Sequence, residues 1–211
     1  MFIPWHFPLH NDPSITGASH KAEQAFKKGY PAIYNHLLQY KKELSNRNKE
    51  ETGIRYEWYA LQRWGANYWG DFLKCKIVYP GIMRIAKSNS VNFPRFALDI
   101  KEKFFFGNDC FFIVGKHIEY LWLLLNSTLL GYLFRYYIYS FDETGFMVVK
   151  ENFENIPMPL PNKEKLAISK KFLSEKTDIQ KINEWVYSLY DFTNEEILEI
   201  ETSVSLLIGK Q

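Results

Sequence analysis

Apolar positions Ala22, Phe26, Ile33, Leu37, Tyr40 and Leu44 recur at helical spacing between Ala22 and Asn46. Gly29-Tyr30-Pro31 divides that run into two expected helices. Pro31 suits the first turn of the second, where a missing N–H has no helical partner to lose. Arg55 to Trp69 mixes large aromatics with basic residues and is expected to be helical. The period then shortens. Cys75–Tyr79, ending at Pro80, reads as a short buried strand, Arg95–Lys101 as a second, and Cys110–Val114 as a third, with Gly107-Asn108-Asp109 as a turn before it. A buried helix is expected from His117 to about Tyr137, and Phe146–Val149 returns to the sheet.

Pro157, Pro159 and Pro161 around Met158 predict a stiff extended exit, because each proline fixes its own backbone and biases the residue before it away from helix. Beyond it, Asn162–Ser174 and Asp178–Leu189 read as helices, and Thr193 with Glu196 three residues on forms a capping box for a last one. The expected fold is α+β, with a central, mostly antiparallel sheet flanked by helices and a C-terminal helical tail. Residues 1–20 are rich in Pro, His, Asn and Ser without a period and read as a linker from a missing upstream domain; 21–161 would form the main domain and 162–211 a helical extension. The framework residues Tyr34, Leu37, Trp58, Leu61, Ile77, Val78, Phe96, Leu98, Phe112, Leu121, Leu124, Leu125 and Leu129 are expected in the core. Asn126 and Ser127, a polar pair in an apolar run, are expected to cap or bridge a buried bend.

Composition changes this picture only in places. The 211 residues are 46% hydrophobic and 24% charged, which is ordinary for a globular chain, while the 18% aromatic share serves a core and a binding face equally well. The net charge of +2 conceals an asymmetry: Lys41–Lys103 carries 13 basic against 7 acidic residues, and Glu151–Gln211 carries 7 against 11. A polyanion should meet the first stretch and avoid the second. Cys75 and Cys110 are expected as reduced core thiols, and with no signal peptide in MFIPWHFPLHNDP a cytoplasmic location follows. Glu119, Asn126, Ser127, Thr128 and Arg135 interrupt Ile118–Tyr139 too often for a membrane span.

Catalytic chemistry is hard to find. There is no Gly-rich phosphate- or dinucleotide-binding loop and no Asn-Pro-Pro-Tyr of the kind adenine methyltransferases use to hold a flipped base. His6 and His10 stand among prolines, where no helix would align them on a metal. Asp99-Ile100-Lys101 supplies an acid-x-lysine unit on an expected strand, the minimum of a metal-dependent nuclease, but no partner acid stands upstream. What remains is binding. Lys and Arg position phosphates, and Arg, Asn, Gln and Lys read base edges in the major groove. Side chains of these types cluster at Arg47, Asn48, Lys49, Arg55, Gln62, Arg63, Lys74, Lys76, Arg84, Lys87, Ser88, Asn89, Asn92 and Arg95, with Tyr59 an aromatic candidate among them. Arg55 and Arg63 could instead be structural, stacking on Trp58 or Trp64 or pairing with Glu57. Ile82–Asn92 reads as a polar loop projecting beyond a strand and is the favoured base reader.

Several phrases, in this order, resemble the TaqI-like C-terminal specificity domain of type IIG restriction-modification enzymes and N6-adenine DNA methyltransferases. They are YPAIYNHLLQYKKELSNRN (Tyr30–Asn48), ETGIRYEWYALQRW (Glu51–Trp64), KIVYPGI (Lys76–Ile82), FALDIKEKFF (Phe96–Phe105), YLWLLLNSTLLGYLF (Tyr120–Phe134), ENIPMP (Glu154–Pro159) and the tail INEWVYSLYDFTNEE (Ile182–Glu196). The resemblance implies a domain that reads double-stranded DNA without cutting or methylating it, closing the duplex against a methyltransferase domain, with a nuclease domain further upstream. S-adenosylmethionine and Mg2+ would then belong to the parent enzyme, and none to this chain. Met1 inside a family-like phrase fits a truncated chain or a split gene. Two other readings stay open: a protein-interaction or structural module that buries Trp58–Trp69 against a partner, and a metal-dependent nuclease using Asp99 and Lys101.

Overall fold

A computed structural model describes residues 3–63, 68–85, 93–101 and 104–209. The chain divides into two compact units, Met1–Gly70 and Asp71–Gln211.

In the first unit, the Ser19 hydroxyl accepts the Ala22 N–H at 3.1 Å and starts α1 (His20–Gly29), which buries Ala22 and Phe26. The break expected at Gly29-Tyr30-Pro31 is present, and Pro31 opens α2 (Pro31–Leu38). A short α3 (Lys41–Ser45) follows. The helix expected over Arg55–Trp69 does not form; the described part is a series of turns, followed by a 3-10 turn over Trp69–Leu73. The reason is burial. Tyr56, Glu57, Trp58, Tyr59 and Ala60 are five consecutive residues that are each at most 5% exposed, whereas a helix at the surface of a core buries only one stripe. An irregular chain can bury all five, and Tyr59 stacks on Phe26 at 4.5 Å while Tyr56 stacks on Trp5 at 5.6 Å. Residues 3–20 are therefore not a free linker: Ile3 is buried, Leu61 N donates to the Ile3 carbonyl at 2.9 Å, and the Trp5 indole donates to the Gln62 carbonyl at 3.1 Å.

Among the described residues, the strands all lie in the second unit. β1 (Lys76–Pro80) pairs antiparallel with β3 (Ala97–Asp99) on one side and β4 (Cys110–Ile113) on the other. A second antiparallel sheet has the order β2 (Ile82–Arg84), β6 (Gly145–Met147), β5 (Tyr139–Asp142). The α+β class is as expected, but the strands build two three-stranded sheets where one was anticipated. Gly81 alone separates β1 from β2, and a Cβ there would lie 2.7 Å from the Phe111 ring, so any larger residue would have to push that ring aside.

The long apolar run splits into α4 (Ile118–Leu125) and α5 (Thr128–Tyr137) at the Asn126-Ser127 pair. Asn126 accepts from Phe96 N at 3.0 Å and donates to the carbonyls of Phe96 and Trp122, while the Ser127 hydroxyl caps α5; the polar pair is the buried bend that its position implied. Among the described residues no helix is long and apolar enough to cross a membrane. After a short α6 (Lys150–Phe153), the Pro157–Pro161 segment is extended and held from two sides, its carbonyls accepting the hydroxyls of Tyr120 and Tyr190. α7 (Lys163–Glu175), α8 (Ile179–Ser188) and α9 (Asn194–Gly209) follow, the last opened by the Thr193–Glu196 capping box. Tyr120, Leu124 and Leu129 share one apolar cluster with Ile182, Val186 and Ile200, so the helical extension is continuous with the core of this unit rather than an appendage. Both cysteines are free, but Cys75 is exposed and Cys110 half-buried on an edge strand, so neither is the core thiol expected.

Burial pushes the Tyr79 and Tyr190 phenols up to about 12. An unfolded tyrosine loses its proton near pH 10, before these do, so their contribution to stability is complete below about pH 10 and is lost as pH rises toward 12. We expect alkaline unfolding in that window, with Tyr79→Phe shifting the midpoint upward; a pH titration followed by circular dichroism checks it.

Candidate nucleic-acid interface

The candidate residues fall in both units and meet three fates. Some are framework. The Arg47 guanidinium donates to three backbone carbonyls, Leu44 at 3.0 Å, Trp58 at 2.7 Å and Ala60 at 2.8 Å, and so ties the end of α3 to the buried 56–60 stretch. Tyr59 is buried, with its hydroxyl donating to the Phe7 carbonyl at 3.1 Å. Lys76 is fully buried and its ammonium lies 2.5 Å from the Asp99 carboxylate, directly across the β1–β3 register. These three were candidates because of their residue types; Tyr59 and Lys76 have their polar groups committed inside the protein, while Arg47 stays exposed with its guanidinium engaged by the three carbonyls. Cations are placed in a core only with such partners, since an unpaired buried charge is very costly.

Others remain at the surface. Lys49, Gln62 and Arg63 are exposed, and their side chains make no hydrogen bond or ion pair among the described residues. Arg55 is exposed and pairs with Glu51, one turn away, rather than with Glu57. Lys74 pairs with Asp71 at 2.6 Å. Surface pairs of this kind are weak and exchange readily for a phosphate. Arg84, the last residue of β2, is held more firmly: its guanidinium donates to Asp142 at 2.6 Å and Thr144 at 3.1 Å and lies 5.5 Å over the Phe141 ring. The Arg84 hydrogen bond lowers the Asp142 pKa below the usual carboxylate range. Asp142, Thr144 and Phe141 escaped sequence reasoning, although Asp142-Glu143-Thr144-Gly145 between aromatic runs is a legible hairpin turn.

Arg95 is half-buried and distinct from the rest, as described below. Lys87, Ser88, Asn89 and Asn92 lie outside the described residues. The chain enters that stretch from Ile85 and leaves it at Phe93, both buried in the same apolar cluster.

Folding also changes the charge that solvent meets. Within Lys41–Lys101, the described acids Glu57 and Asp99 are buried, at 3% and 5% exposure, while Lys76 is the one described cation buried with them. Ten described cations of that stretch are exposed or half-buried, against four described acids, Glu43, Glu50, Glu51 and Asp71. The first unit presents six of those cations, Lys41, Lys42, Arg47, Lys49, Arg55 and Arg63. Among the described residues there is no group of His, Cys, Asp or Glu arranged to hold a metal. Asp99 is committed to Lys76 and to the Phe104 N–H, and β3 ends at Asp99, so Lys101 stands exposed beyond a bend. No protein-family model and no curated protein matches the chain.

Proposed function

We propose that this chain is the DNA target-recognition domain of a type IIG restriction-modification enzyme or related adenine methyltransferase, supplying sequence preference to chemistry performed by other domains. The observation that carries the reading is the surplus of cations that face solvent in the first unit, where Lys41, Lys42, Arg47, Lys49, Arg55 and Arg63 stand against Glu43, Glu50 and Glu51 while Glu57 is buried. The quoted phrases supply the class of enzyme. Lys49, Arg55, Arg63 and Lys74 suit phosphate contacts, while Arg84, fixed by Asp142 and Thr144, suits base reading; Gln62 can serve either. S-adenosylmethionine, Mg2+ and the residues that use them belong, on this reading, to methyltransferase and nuclease domains of the parent enzyme, and the chain works in the cytoplasm.

The test is binding to duplex DNA across a salt series. The logarithm of affinity should fall linearly with the logarithm of salt, and Lys49→Ala with Arg63→Ala should flatten the slope by about two without changing site preference. In the parent enzyme, Arg84→Ala should relax preference at one base pair by about 1–3 kcal/mol. Salt-independent binding, or an unchanged slope in the double variant, would reject the reading.

A protein-interaction role draws on a different observation. Phe104, Phe105 and Phe111 are 59%, 53% and 41% exposed in the second unit, whereas in the Trp58–Trp69 run, on which that role first rested, Trp58 and Tyr59 are buried and Tyr68 is exposed. A salt-insensitive protein complex lost in Phe104→Ser would favour it.

A further inference from the structure

The second unit has an open groove of about 1010 Å3, at the upper end of the range of small-molecule sites. Its walls are mostly apolar, from Tyr79, Phe93, Phe96, Trp122, Val204 and Ile208. Its polar lining is almost wholly spoken for. Asn126 is saturated by Phe96 and Trp122, and the Trp122 indole donates to the Phe96 carbonyl at 2.6 Å. Asn183 accepts from Thr128 N and donates to the Thr128 hydroxyl, and Glu201 accepts the Tyr187 hydroxyl. Arg95 is the exception: its Nη1 is shut away from water and has no hydrogen-bond partner, and no described carboxylate pairs with it. Burial without a counter-charge lowers the Arg95 pKa.

One N–H of Arg95 is cut off from water without an acceptor, and the rest of this half-buried side chain lines the groove with no ion-pair partner, so an acid entering the groove would supply the counter-charge that the fold does not. We propose that this groove binds a small amphipathic anion, one carboxylate, sulfonate or phosphate head on an apolar body, with the head on Arg95 and the body against Tyr79, Phe96 and Trp122. The site goes beyond DNA reading, which leaves these aromatic walls without a role.

The probe is 1-anilinonaphthalene-8-sulfonate, followed by fluorescence on the full chain, with N-phenyl-1-naphthylamine as the same aromatic body lacking the acid. Arg95→Met should weaken the sulfonate at least tenfold and leave the neutral probe unchanged. Its melting temperature without ligand should match or exceed that of the parent chain, because the substitution removes a buried N–H that has no acceptor on a cation that has no counter-charge, and that reading separates lost binding from lost folding. Ser205→Trp, at an exposed position of α9 lining the groove, should exclude both probes. No sulfonate binding to the parent chain, equal affinity for the two probes, equal weakening of both by Arg95→Met, or retention of both in Ser205→Trp would each overturn the proposal. Displacement of the sulfonate by duplex DNA would also overturn it, by assigning Arg95 to the duplex, whereas DNA binding without displacement leaves both sites standing.

Discussion

Asp99→Ala is expected to destabilise the second unit by about 3–5 kcal/mol, the usual cost of breaking a buried ion pair from one side. Lys76 is fully buried, and its ammonium has two partners given by the fold, Asp99 at 2.5 Å and the Phe72 carbonyl at 2.8 Å. Removing the carboxylate leaves the charge with one neutral acceptor and also orphans the Phe104 N–H that Asp99 receives at 2.6 Å. Replacing both ends tells a different story. Lys76→Met with Asp99→Leu takes both charges out of the interior together, and the pair should recover most of what Asp99→Ala loses, so the two substitutions are strongly non-additive. Denaturant midpoints of the two single variants and the double one measure this. An unchanged midpoint in Asp99→Ala would refute the buried pair. The same comparison speaks to nuclease chemistry at Asp99: a structural acid gives a folding defect that the double variant repairs.

Glu57→Ala should be the second large effect, at about 3 kcal/mol or more in the first unit. The Glu57 carboxylate is 3% exposed and accepts from the His6 backbone N–H at 2.9 Å, the His6 ring at 2.9 Å and the Ser19 N–H at 2.8 Å. Each buried donor left without an acceptor costs about 1–3 kcal/mol, and here the donors lie at two points of the N-terminal segment. Loss of this one carboxylate should therefore release residues 3–19 before the rest of the unit unfolds. Hydrogen exchange at the His6 and Ser19 amides should accelerate sharply, and proteolysis should move into that segment. Glu57→Gln keeps one acceptor oxygen and should fall between. If the two amides exchange no faster in Glu57→Ala, the segment is held by its other contacts, through Ile3, Trp5, Phe7 and Ala18.

Much of the fold was legible because it depends on neighbours in sequence. Pro31 at the start of α2, the Thr193–Glu196 box and the Asn126-Ser127 bend are local arrangements of caps and backbone geometry, and each stands where its residues predicted. The 56–60 stretch misled, because its spacing of aromatics and cations suits a helix and nothing local records that all five side chains would be buried. The 1–20 segment misled for the same reason: a lack of periodicity says nothing about whether a tertiary carboxylate such as Glu57 will gather it.

The candidate interface was legible as composition and not as a list. Sequence by itself determined the excess of cations between Lys41 and Lys103, the acidic helical tail and the positions of most helices and strands. Only the tertiary structure decided which cations are free to meet a ligand: it set Lys76 opposite Asp99 on neighbouring strands, engaged the exposed Arg47 with three carbonyls, and left Arg95 beside a groove without a counter-charge. The physical reason is that a charge is tolerated inside only where a distant part of the chain brings it a partner, and partners distant in sequence leave no mark on the local pattern.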